Sequence, residues 1–104
     1  MNWNSRDNQQ LVRAIISLET PNEARRFLRD LMTENEIKEF ANRFQAAQML
    51  TDNVPYIAIE KKTGLSSATV ARVAKWLKGP EGGYRSVIAK LHHHNPIQTR
   101  RGLV

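Results

Sequence analysis

The chain of 104 residues contains no cysteine, which excludes disulfide staples, thiol nucleophiles and cysteine-ligated zinc. It has no apolar run near the roughly 20 residues needed to span a bilayer. The polar opening Met1-Asn2-Trp3-Asn4-Ser5 lacks the hydrophobic centre of a secretory signal, so the expected location is the cytoplasm. Acidic residues are scarce in one half only. Residues 53–104 hold two, Glu60 and Glu81, against nine Lys or Arg, whereas residues 1–52 hold eight against seven. The net charge of +6 is thus concentrated in the second half. A one-sided positive field attracts phosphate polyanions and speeds encounter with them. A membrane surface would also welcome that charge, but it needs a large apolar helix face beyond what the core uses, and none stands out. At this length one core is expected.

Helix signals dominate, and no segment alternates with the two-residue period of a strand. Leu11, Ile15 and Leu18, with Val12 and Ile16 beside them, form a helical stripe. Thr20-Pro21-Asn22-Glu23 reads as a second helix start: Thr20 caps, Pro21 enters the first turn, and Glu23 completes a capping box. Thr33-Glu34-Asn35-Glu36 repeats that logic ahead of a long stripe of Ile37, Phe40, Ala41, Phe44, Ala47 and Leu50. The sequence Asp52-Asn53-Val54-Pro55 ends it, because proline cannot continue a helix and its predecessor avoids helical angles. Two short helices are expected over roughly 55–63 and 66–78, and a stop at Gly79-Pro80-Glu81-Gly82-Gly83. A last helix carries Tyr84, Val87, Ile88 and Leu91. The fold class is all-α, about six helices.

The pair of short helices has the pattern of a helix-turn-helix DNA reader. Ile59, Leu65, Val70 and Val73 supply the apolar lock between crossed helices, and Gly64 stands where the chain must turn sharply. Ser66 can cap the second helix. Ser67, Ala68, Ala71 and Arg72 are then free to face a partner, with Ser66 and Thr69 adding hydroxyls and the two alanines permitting approach to thymine methyls. Lys61, Lys62, Lys75 and Lys78 are the expected phosphate contacts, which set orientation and salt dependence rather than sequence. Arg72 could meet guanine, phosphate or the interior. Helices 1 and 3 carry apolar stripes wide for so small a chain, and an intertwined homodimer would bury them.

The order of these parts resembles the bacterial Trp repressor superfamily. The resemblance rests on Met32-Thr33-Glu34-Asn35-Glu36 through Arg43, then the Gly64-centred motif with Ala68-Thr69-Val70 and Arg72. The run of residues 79–84 is similar to that of the YerC/YecD branch. The resemblance covers roughly Leu11 to Leu91 and implies an all-α intertwined dimer that binds operator DNA as a transcriptional repressor; the residues themselves place this domain over 1–94, with 95–104 as a flexible basic tail. It also implies an effector pocket. Arg43 and Arg72 match the arginines that flank tryptophan in the founding repressor, and Thr33 matches a pocket threonine. Val73 stands where that repressor has glycine, and Trp76 where it has serine. Both add volume, so the pocket is expected to be closed and L-tryptophan not to act as corepressor. No other cofactor is expected.

Enzyme chemistry finds little footing. His92, His93 and His94 are adjacent and point about 100° apart on a helix, without the i, i+4 spacing of helical zinc sites. No Walker-type Lys-Ser/Thr follows the glycines of residues 79–83, which excludes a phosphate cradle there. The alternative to DNA reading is a helical adaptor whose basic face meets an acidic protein partner.

Overall fold

A computed structural model describes residues 1–94. The tail expected over 95–104 lies outside the described residues. The described residues form six helices: α1 (Arg6–Ile16), α2 (Pro21–Leu31), α3 (Glu34–Thr51), α4 (Tyr56–Thr63), α5 (Ser67–Leu77) and α6 (Gly83–His94). Among the described residues there is no strand, and no helix is long and apolar enough to cross a membrane. The chain divides into two compact units, one of residues 1–37 and one that begins at Lys38.

In the first unit the helix starts follow from side-chain caps. Ser5 accepts a hydrogen bond from the Asn8 amide at 3.3 Å, which sets α1 five residues ahead of the Leu11 stripe. Thr20 accepts from the Glu23 amide at 3.1 Å. The Glu23 carboxylate, however, accepts from Glu19 N at 2.8 Å rather than from Thr20, so the box closes one residue earlier than expected. At α3 the capping box is complete: Thr33 Oγ1 accepts from Glu36 N at 3.1 Å and Glu36 Oε1 from Thr33 N at 2.9 Å. Neither α1 nor α2 contains a buried residue.

The second unit holds the core. Ala46 and Ala47 of α3, Ile59 of α4, Leu65 of the turn, Val70, Val73 and Leu77 of α5, and Ile88 of α6 form one buried cluster. Phe44, Met49, Leu50, Val54 and Tyr84 pack around it. The two alanines of α3 are fully buried in the same cluster as the larger Ile59 and Val70, which are fully buried as well. After α3 the chain leaves helical geometry through Asn53, whose φ of 62° is left-handed, a conformation asparagine tolerates better than most residues.

Candidate nucleic-acid interface

The α4–turn–α5 segment is built from the positions its spacing predicts. Gly64 has φ 76° and its amide donates to the Glu60 carbonyl at 2.8 Å, closing α4 in a left-handed cap. Thr63 is buried yet satisfied: its hydroxyl donates to Ile59 O at 2.7 Å and accepts from Leu65 N at 3.2 Å. That bridge fixes the turn, and no residue pattern announces it because threonine at a helix end is commonplace. Ser66 opens α5 by accepting from Thr69 N at 3.2 Å.

Helix α5 is sharply two-sided. Val70, Val73, Ala74 and Leu77 are buried, while Ser67, Ala68, Ala71, Arg72 and Lys75 are exposed. Residues 68, 71, 72 and 75 fall at helical spacing on one face. Lys61, Lys62 and Lys78 are exposed as well. Two ion pairs occur among the described residues, Arg29–Glu34 at 4.0 Å and Arg43–Glu39 at 2.9 Å. The cations of α4 and α5 are in neither, so their charge is left to whatever meets this surface. Two hydroxyls expected at the interface are already engaged, since Ser66 donates to Thr69 Oγ1 at 3.1 Å while capping the helix. Ser67 keeps its side chain exposed, and Glu60 is half-buried.

The residues matched to an effector pocket are differently placed. Thr33 caps α3 within the first unit. Arg43 pairs with Glu39 and lies over the Phe40 ring, 5.8 Å from its centroid. Val73 points into the core at 3% exposure, and Arg72 is on the exposed face of α5. Trp76 is 54% exposed within the chain and lines an open, apolar groove of about 530 Å³ with Phe44, Glu81, Gly83, Tyr84 and Val87. The Phe44 and Tyr84 rings form part of its wall, with centroids 6.4 Å apart. Of the five expected residues, Trp76 alone lines this groove. No cluster of three metal-ligating side chains occurs among the described residues.

One functional candidate was missed altogether. The Arg85 guanidinium on α6 reaches back to the end of α5, its Nη1 donating to the carbonyls of Leu77 and of Gly79, the latter at 3.0 Å. The residue lies eight positions from Leu77, beyond a glycine-rich stop, and no local pattern ties it to the helix it caps.

A two-sided α5 set behind a left-handed glycine turn, with uncompensated cations on its open face, defines a helix-turn-helix protein. The comparisons with known proteins agree. The chain belongs to the Trp repressor protein family, which it matches over residues 6–92. It is 38% identical over 82 residues to YerC of Bacillus subtilis (strain 168), a protein described as uncharacterized, and the match covers 79% of each chain. It is similar, at 38% identity and a TM-score of 0.81, to the crystal structure of a TrpR-like protein from Eubacterium eligens ATCC 27750, covering 86% of this chain and 92% of that one. Membership in this family points to a DNA-binding regulator rather than an enzyme.

Proposed function

We propose that the chain is a sequence-specific DNA-binding transcriptional regulator of the repressor kind, acting in the cytoplasm and reading paired operator half-sites as a homodimer without help from tryptophan. The observation that carries the reading is the open face of α5. Ala68 and Ala71 keep it low, Ser67 offers a hydroxyl, and Arg72 and Lys75 bring charge without an ion-pair partner among the described residues. Small side chains let a helix backbone approach base edges closely, and the flanking lysines hold the phosphates. Dimerisation is supported by α1 and α2, which bury no residue within the chain. Independence from tryptophan is supported by Val73, whose place in the core leaves no glycine-sized gap beside Arg72.

A mobility-shift series on a duplex selected from a random pool tests the reading. Lys61→Ala should weaken binding to all duplexes alike and lower the salt slope by about 1, while Ala68→Leu should damage preference for the selected site. Absence of duplex binding at low salt would sink DNA reading and favour an acidic protein partner. Sedimentation equilibrium tests the dimer, which a single 11.9 kDa species at micromolar concentration would exclude. Calorimetry with L-tryptophan tests the closed pocket; saturable micromolar binding would overturn it.

A further inference from the structure

The end of α5 is held by a device that composition does not reveal. A helix leaves its last carbonyls without intrahelical partners, and a cation there meets both the orphan acceptors and the negative end of the dipole. Lys78 N donates to Ala74 O at 3.1 Å and Gly79 N to Trp76 O at 3.1 Å, which closes the last turn but leaves the Leu77 and Gly79 carbonyls open. Arg85 Nη1 takes both of them, one hydrogen to each. The turn between the helices is shaped for that grip. Gly82 has φ 72°, and a Cβ at that position would stand 3.1 Å from Arg85 Nη2. A side chain at residue 82 would therefore be strained and would crowd the guanidinium at once.

We propose that Arg85 is a positioning residue for DNA reading: it locks the C-terminus of the recognition helix to α6 and so fixes the angle at which Ser67, Ala68, Ala71 and Arg72 are presented. The inference rests on the DNA-reading function proposed above. Helix α5 packs against α4 and α6, and the buried cluster it shares with them, which includes Ile59, Val70, Leu77 and Ile88, is apolar and non-directional. The Arg85 hydrogen bonds add direction at the end of α5 farthest from Ser66. A helix of 11 residues is about 16 Å long, so a small swing at one end moves the reading residues at the other. Base-edge hydrogen bonds weaken steeply with such displacement, whereas phosphate contacts from flexible lysines tolerate it.

The test uses the full chain with Arg85→Met, Arg85→Lys and wild type, each bound to the selected duplex and to a scrambled duplex across a salt series. Arg85→Met removes both donors but keeps an apolar stem. It should lower the ratio of selected to scrambled affinity about tenfold, with the salt slope unchanged. Lysine can donate to both carbonyls, so Arg85→Lys should restore most of that ratio. A ratio unchanged in folded Arg85→Met would overturn the proposal. A salt slope reduced by about 1 with the ratio intact would also overturn it, because Arg85 would then be an ordinary phosphate contact. Should Arg85→Met fail to fold, Arg85→Gln, which shortens the side chain and removes the guanidinium, puts the same question, and an unchanged ratio in that variant overturns the latch. Wild type that fails to prefer any duplex refutes the DNA-reading function itself. In that case faster amide exchange at Lys78 and Gly79 in Arg85→Met still supports the latch, and unchanged exchange refutes it.

Discussion

Helices α1 and α5 are both 11 residues long and both begin at a serine whose hydroxyl accepts a backbone amide, yet α5 buries four side chains and α1 none. Each cap accepts one helix amide, so amide capping does not account for the difference. In α5 the apolar positions meet Ile59, Leu65 and Ile88, and Val70 is fully buried. On α1, Leu11 and Val12 remain more than 40% exposed and Ile16 is 75% exposed. A short helix gains little from propensity alone and depends on burial of its apolar face. Helix α5 has that burial inside the chain. On α1 no residue is buried, and in the proposed homodimer a second copy would cover its apolar face.

Substitution of one isoleucine in each region gives the largest contrast. Ile59→Ala deletes a fully buried side chain from the cluster joining α3, α4 and α5 and should cost about 3 kcal/mol in urea unfolding. Ile15→Ala, on a residue 52% exposed, should cost under about 0.5 kcal/mol to the isolated chain. In the proposed dimer it should instead weaken self-association, so that its unfolding midpoint falls as the protein is diluted about a hundredfold. Equal, concentration-independent losses for the two variants would remove the distinction between the regions.

The same contrast explains how far the residues alone could be read. Helix ends were legible because their determinants are local: Ser66, Gly64, the Thr33–Glu36 box and the break before Pro55 each act within a few residues. The core of the second unit was legible because Ile59, Leu65, Val70 and Val73 occupy the positions that lock two crossed helices around the Gly64 turn. Periodicity specifies that a face is apolar, not what covers it; the width of the α1 stripe pointed to a partner without identifying one. The candidate site divides similarly. The exposed face of α5 follows from its buried one, but the Arg85 grip and the open groove beside Trp76 join positions far apart in the chain. A large aromatic suggests filled space; here it forms one wall of a groove.

Gly64 offers a narrower test, confined to the α4–α5 turn. Its φ is 76°, and a Cβ built there meets nothing within 4 Å. Gly64→Ala should therefore express backbone strain alone, about 1–2 kcal/mol, with no steric rearrangement of the turn. Affinity for the selected duplex, corrected for the folded fraction, should stay within about twofold because the recognition helix keeps its packing. A larger loss of binding than of stability would mean that the turn itself touches the partner.

The serine caps supply the smallest and most discriminating difference. Ser66 accepts from Thr69 N at 3.2 Å and also donates to Thr69 Oγ1, whereas Ser5 accepts from Asn8 N at 3.3 Å. Removal of either hydroxyl frees one helix amide, and caps of this kind are worth about 1 kcal/mol. Ser66→Ala should show that loss in full as global stability, since α5 cannot fray without exposing Val70. Ser5→Ala should leave the global midpoint almost unmoved in the isolated chain, because the first turns of α1 can open without uncovering buried surface. Its effect should appear instead as faster amide exchange confined to α1, and this local opening should be suppressed as protein concentration rises if a second copy covers the helix. Exchange in α1 that is slow and independent of concentration would show that the exposed stripe needs no partner, and would return the chain to a monomeric reader of DNA.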